Sequence, residues 1–98
     1  MKILVVCNAG MSSSILVNKI KKYAESIGEA IEVQAVSSAS IQNETNRWDV
    51  CLLAPQIQYA LNEVQQKLQI PTAVVDMRVY AMADGKAAYE AARQLIEG

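Results

Sequence analysis

The sequence predicts an α/β fold: an open four-stranded parallel sheet in the order 2-1-3-4, with helices on both faces. Three observations carry this. Short apolar runs alternate with longer amphipathic ones, the pattern of strands joined by crossover helices. The run Ile3, Leu4, Val5, Val6 is apolar on both faces, as an inner strand of a parallel sheet must be. The breaks fall at Gly28, Pro55 and Pro71, residues that end helices or strands. With 98 residues, 52% of them hydrophobic, the chain has apolar surface for one core but not for two. One domain over residues 1–98 is therefore expected.

The first strand is residues 2–7. A helix over residues 12–27 follows, with Leu16, Ile20, Tyr23 or Ala24, and Ile27 on one stripe and Lys19, Lys21 and Lys22 toward water. Gly28 stops it. The second strand, residues 31–36, alternates only partly and reads as an edge. Residues 37–46 are polar and rich in capping residues, which fits a short helix. Residues 48–54 form another buried strand, ended by Pro55. The next helix has Ile57, Leu61, Val64 and Leu68 as its inner stripe and stops before Pro71. The fourth strand is residues 72–76. A loop over residues 77–84 leads to the last helix, with Asp84 as N-cap and Ala88, Ala91, Ala92, Leu95 and Ile96 packing inward. Right-handed crossovers with this order place the reversal of strand order between the first and third strands, where ligands bind outside the strands' carboxyl ends.

Composition narrows the chemistry. A net charge of −1 gives no call for nucleic acid. No apolar run nears the roughly 20 residues of a membrane span, and the apolar start is read as a strand of a cytosolic protein rather than a leader. Two cysteines make no disulfide framework, so both are expected reduced. The absence of histidine removes phosphohistidine, Ser–His and Cys–His pairs and most zinc sites. A covalent intermediate, if there is one, falls to a cysteine. Cys51, in mid-strand, reads as core.

Cys7 stands at the first strand's end, before a small-residue loop and a helix start. Gly10 permits backbone angles other residues resist, and Ser12 and Ser13 are good N-caps. Free amides and the dipole at a helix N-terminus welcome an anion, and successive inward N–H groups form a nest. They would also lower a nearby thiol from about 8.5 toward neutrality and favour the nucleophilic thiolate. Ser12, Ser13 and Ser14 fit as caps, as phosphoryl ligands, or both. Met11 fits under the helix or as an exposed contact.

The segment CNAGMSSS, Cys7 through Ser14, resembles the phosphorylation loop of the IIB components of the bacterial sugar phosphotransferase system, in their lactose/cellobiose branch. LLAPQIQY from Leu52 to Tyr59 and DMRVYAMADG from Asp76 to Gly85 extend the resemblance over essentially the whole chain. It implies that Cys7 takes a phosphoryl group from a phosphohistidine on a IIA protein. Asn8, Ala9, Gly10, Met11, Ser12, Ser13 and Ser14 would cradle it. The group then passes to a sugar hydroxyl held by the membrane IIC component, with no metal or cofactor. The implied setting is cytoplasmic, at the inner face of the membrane through IIC, and the expected state in isolation is a monomer. The sugar, chosen by IIC, stays open among cellobiose, diacetylchitobiose, lactose and related β-glucosides.

The same strand, cysteine loop and helix also resemble the low-molecular-weight tyrosine phosphatases, small α/β domains near the flavodoxin-like type. Their loop carries an arginine where this chain has Ser13. Without that bidentate clamp, and without an Asp-Pro acid, the loop can hold a phosphocysteine but lacks groups to drive its hydrolysis. That suits a relay. A small phosphatase is the second reading, a thiol redox or arsenate-reductase-like protein the third, and a mononucleotide-binding module the fourth. Pro55, Gln56 and Tyr59 are expected to wall the cleft. Asp76 is read first as a cap and second as an acid or base. Arg78 is either solvated or a phosphate aid. Tyr59, Tyr80 and Met82 are ordinary packing unless several are exposed together, which would mark an interface.

Overall fold

The computed structural model describes residues 1–8 and 13–97, the side chain of Ser13 apart. β1 (Lys2–Cys7), β2 (Glu32–Ser37), β3 (Val50–Leu53) and β4 (Thr72–Val74) form one parallel sheet in the expected order β2-β1-β3-β4. Ile3 lies opposite both Val33 and Val50, so β1 has a neighbour on each side. Its residues Ile3, Leu4, Val5 and Val6 are accordingly all buried. β2 is an edge, as its broken alternation predicts.

Side chains alternate between the two faces. Ile3, Val5, Val50 and Leu52 pack against α1 (Ser13–Ser26) and α4 (Gly85–Glu97) through Leu16, Ile20, Ala24, Ala88 and Ala92. Leu4, Val6, Cys51 and Leu53 pack the other way, against Ile41, Ile57 and the Val64 and Leu68 of α2 (Leu61–Leu68). Burying each large aliphatic side chain stabilises by about 1.5–3 kcal/mol, so the two layers hold the sheet from both sides.

Gly28 ends α1 at φ 74, in the left-handed region. Its N–H donates to the Glu25 carbonyl at 3.1 Å and that of Glu29 to the Ala24 carbonyl at 2.9 Å, a full Schellman closure. α4 lies along α1, with the Tyr23 and Tyr89 rings 5.4 Å apart. Arg93 of α4 reaches Glu29 at 3.4 Å and Glu97 at 2.8 Å.

Several expectations are corrected. Residues 77–84 are not a plain loop: they contain α3 (Met77–Met82). Asp76 caps it, accepting from the N–H groups of Arg78 at 3.0 Å and Val79 at 3.4 Å. No residue of α3 is buried, so no apolar stripe announces it. Ile27, Ala91 and Ile96 are exposed rather than inward. α4 buries Gly85, Ala88, Tyr89 and Ala92 instead, because small residues let its backbone approach α1. Ile27 falls at the turn that Gly28 makes. The buried strands are shorter than 48–54 and 72–76, and the second strand is shifted one residue to Glu32–Ser37. The polar segment is a 3-10 helix, Ser38–Glu44, capped by the Ser37 hydroxyl accepting from the Ala39 N–H. The helix after Pro55 also begins as a 3-10 turn, Pro55–Ala60, broken at Ile57.

Candidate functional site

The sheet brings the carboxyl ends of β1 and β3 together where the strand order reverses. Cys7 is the last residue of β1, and the Ala54 N–H donates to the Val6 carbonyl at 2.9 Å just below it. Pro55, buried, turns the chain away from β3 and sets Gln56 outward. On the far side of β3, Asp76 and α3 follow β4. Four elements therefore converge at one edge.

Cys7 is only 2% exposed and packs within the cluster of Leu4, Val6, Ile41 and Leu53. Its Sγ donates toward the Val36 carbonyl at 3.8 Å. The thiol is thus at the expected place in the topology but covered, with its proton directed toward the Val36 carbonyl. Asn8 is exposed, and its carbonyl accepts from the Ser37 hydroxyl at 3.4 Å. Of the loop residues expected to cradle an anion, Ala9, Gly10, Met11 and Ser12 lie outside the described residues. Ser13 is the first residue of α1, and Ser14 follows it, exposed. Cys51 is core: burial pushes its thiol up to about 12, against a hydrogen bond with Thr72 that acts the other way.

The flanking candidates separate. Asp76 is engaged as the α3 cap, the structural role. Arg78 is exposed and shares with Asp76, Met77 and Ala81 an open hollow of 580 Å³. The other two arginines are engaged elsewhere: Arg47 lies 5.9 Å from the Trp48 ring and pairs with Glu44, while Arg93 bridges α4 and the end of α1. Tyr80 is half-buried and packs against both core clusters. Tyr59 and Met82 are 82% and 73% exposed, so the ordinary-packing reading fails for both. Met82 joins Tyr80, Gln56, Ile15, Lys19 and Ala83 around a groove of 490 Å³ between α1 and α3. The sequence marks Lys19 only as a water-facing residue of the helix and assigns Ile15 no role, yet both line this groove. Ile15 had a signal, being a large apolar residue off the Leu16–Ile20 stripe in the first turn of α1. A separate hollow beside Gln65 and Pro71 sits at the opposite end of the sheet, away from Cys7.

Among the described residues no helix is long and apolar enough to cross a membrane. Residues 2–91 match the family model described as "PTS system, Lactose/Cellobiose specific IIB subunit". The oligo-beta-mannoside-specific EIIB component of Bacillus subtilis (strain 168) is 43% identical, over 97% of this chain and 95% of its own length. The galactose-specific EIIB component of Lactococcus lactis subsp. cremoris (strain MG1363) is 37% identical, over 96% and 94%. Among solved structures, the cellobiose-specific IIB component of Borrelia burgdorferi superposes with a TM-score of 0.81 at 31% identity, covering 99% of this chain and 92% of that one. The lactose-specific IIB domain of Streptococcus pneumoniae gives 0.78 at 21% identity over 99% and 95%, a likeness of fold. IIB components are phosphotransferases of sugar uptake and work with IIA and IIC partners. The family match, the coverage and the sheet order agree: the chain belongs to the lactose/cellobiose-specific IIB family of the sugar phosphotransferase system.

Proposed function

We propose that residues 1–98 act as one IIB domain that carries a phosphoryl group on Cys7 between a IIA protein and a sugar held by IIC. The observation that carries this reading is the placement of Cys7 at the carboxyl end of the central strand, at the reversal of strand order. In the first step a phosphorus–nitrogen bond of the donor's phosphohistidine breaks as a phosphorus–sulfur bond forms at Cys7 Sγ. The thiol proton leaves as the imidazole is released. In the second step the phosphorus–sulfur bond breaks, a phosphorus–oxygen bond forms on the sugar hydroxyl, and that hydroxyl gives up its proton. The protein's contribution is to position the group and offset its charge with main-chain donors of the loop from Asn8 to Ser14.

Ser13 in place of a guanidinium supports a carrier over a hydrolase, since a serine at that position offers no bidentate clamp on the phosphoryl group for attack by water. The relatives' names span oligo-β-mannoside, galactose and cellobiose, which fits a sugar chosen outside this domain. A β-linked disaccharide such as cellobiose or diacetylchitobiose is the proposed acceptor. Its release as a sugar phosphate places the work at the inner face of the membrane, beside IIC.

The test is incubation with a phosphorylated IIA protein, followed by intact mass and peptide mapping. One phosphoryl group on Cys7, lost in Cys7→Ala, is the expected result. Transfer to sugar by Cys7→Ala would overturn the reading, as would turnover of an aryl phosphate by the lone protein.

A further inference from the structure

We propose that Ser37 is a positioning residue for phosphoryl transfer: its hydroxyl holds the Asn8 carbonyl from the end of β2, so that the sulfur of Cys7 starts from one fixed place. The proposal rests on the phosphocysteine reading above and adds to it a residue outside the cysteine loop. Ser37 belongs to none of the segments CNAGMSSS, LLAPQIQY and DMRVYAMADG.

Two successive residues of β2 meet two successive residues at the end of β1. Cys7 and Ser37 are partners in the ladder, so the main chain itself sets them side by side. Val36 offers its carbonyl to Cys7 Sγ at 3.8 Å, and Ser37 donates its hydroxyl to the Asn8 carbonyl at 3.4 Å. The first contact orients the thiol. The second restrains the peptide unit that leads out of β1, because that unit is planar and its carbonyl is held from one side. The Ser37 contact is long for a hydroxyl donor, as such contacts often are before the reacting complex forms.

Ser37 is itself anchored. Its oxygen also accepts from the Ala39 N–H at 3.3 Å, as N-cap of the 3-10 helix Ser38–Glu44. A hydroxyl has one proton to give and two lone pairs, so with Ala39 on a lone pair the proton is left for Asn8. That helix is fixed in turn by the buried Ile41 and by the bond from Trp48 to Glu44 at 2.9 Å. The hydroxyl that steadies Asn8 is thus tied to a packed layer, the support a reacting group needs. β2 also lies on the side of β1 away from β3. The brace therefore holds the sulfur from behind and leaves the side toward β3 for the incoming group. Transfer needs sulfur in line with the breaking phosphorus–nitrogen bond, and a misplacement of about 1 Å can cost about a hundredfold in rate.

The experiment uses the full chain with a phosphorylated IIA protein and follows Cys7 phosphorylation by rapid quench against donor concentration. Ser37→Ala removes both roles of the hydroxyl. Ser37→Gly removes the donor but leaves a tolerated N-cap, and Ser37→Thr keeps both roles. In Ser37→Ala and Ser37→Gly the rate at saturating donor should fall about tenfold, with the half-saturating concentration within about twofold of the parent's. Ser37→Thr should bring the rate back to within about threefold of the parent's. A cap alone moves the melting transition and not the saturated rate of the folded protein. The parent's saturated rate in Ser37→Gly would therefore reduce Ser37 to a cap and overturn the proposal. A raised half-saturating concentration at unchanged saturated rate would put Ser37 under the donor and overturn it too. So would a loss in Ser37→Thr equal to that in Ser37→Gly, since the hydroxyl would then not be what acts. Should Ser37→Ala fail to fold, the glycine and threonine variants still decide among these outcomes. A parent protein that takes no phosphate on Cys7 overturns the reading beneath instead.

Discussion

Gly85 meets Lys19 backbone to backbone: a β-carbon added to Gly85 would lie 2.3 Å from the Lys19 carbonyl oxygen and 2.8 Å from the Ile20 nitrogen. Both atoms belong to the main chain of α1, so neither can swing aside. The first turn of α4 is therefore set directly on α1, and Ala88 and Ala92 continue the contact below it. Gly85→Ala would gain a little helix propensity but force the helices apart. We expect a net loss of about 2 kcal/mol, the range of overpacking at a rigid contact. In urea the midpoint should fall with the slope unchanged. A variant as stable as the parent would show that α4 adjusts freely.

Asp76 is the N-cap of α3. Its Oδ2 accepts from two amides at the start of a helix that has no buried residue of its own. Asp76→Ala should cost about 1 kcal/mol, while Asp76→Asn, an equally good cap, should cost little. Phosphoryl transfer should follow the same order, with Asp76→Asn near the parent's rate. A collapse of transfer in Asp76→Asn at full stability would assign the carboxylate a proton-transfer role.

Much of the fold was legible because β1 and the inner stripes leave strong apolar signals. Ile3 to Val6 could only be an inner strand, and Leu16, Ile20, Val64 and Leu68 all face the core as their spacing demands. α3 was not legible, since a short surface helix has no stripe to read; Asp76 ahead of Arg78 and Val79 was its one trace. α4 was legible as a helix but not in rotation, because alanines at 87, 88, 91 and 92 give no contrast between faces. Only the approach of Gly85 to α1 fixes which of them is buried. At the site, Cys7 could be placed from topology alone, whereas the groove at Ile15 and Met82 needed α1 and α3 in three dimensions.

Trp48 is held by Glu44, whose carboxylate accepts its indole N–H at 2.9 Å in a buried position and also meets Arg47 at 3.4 Å. This contact ties the 3-10 helix Ser38–Glu44 to the chain entering β3. Glu44→Ala leaves the indole N–H without its partner and should cost about 2 kcal/mol. Glu44→Gln keeps an acceptor and should cost less than half of that. Arg47→Ala, the exposed side of the pair, should change stability by under about 1 kcal/mol. The chain has one tryptophan, so its fluorescence reports this site directly. A Glu44→Ala protein with the parent's emission and midpoint would refute the role given to the bond.

Cys51 links stability to alkaline pH. Burial between β-strand neighbours raises its thiol from the ordinary 9.0 to about 12, with the hydrogen bond to Thr72 acting in the opposite sense. Below 9.0 the thiol is protonated in both folded and unfolded chains, so its contribution is fully present there. Between 9.0 and about 12 the unfolded chain loses the proton and the folded chain keeps it, so stability falls as pH rises. The slope approaches ~1.4 kcal/mol per pH unit for one group. Cys51→Ala removes that group at the cost of a small cavity, about 1 kcal/mol at pH 7. Near pH ~10.5 the parent should have lost about 2 kcal/mol more than the variant, so the order of stability reverses. Paired urea titrations across this range measure the gap directly, with the other titrating groups common to both proteins. A gap that stays constant from pH ~7 to ~10.5 would mean that the Cys51 thiol ionises as readily in the folded chain as in the unfolded one.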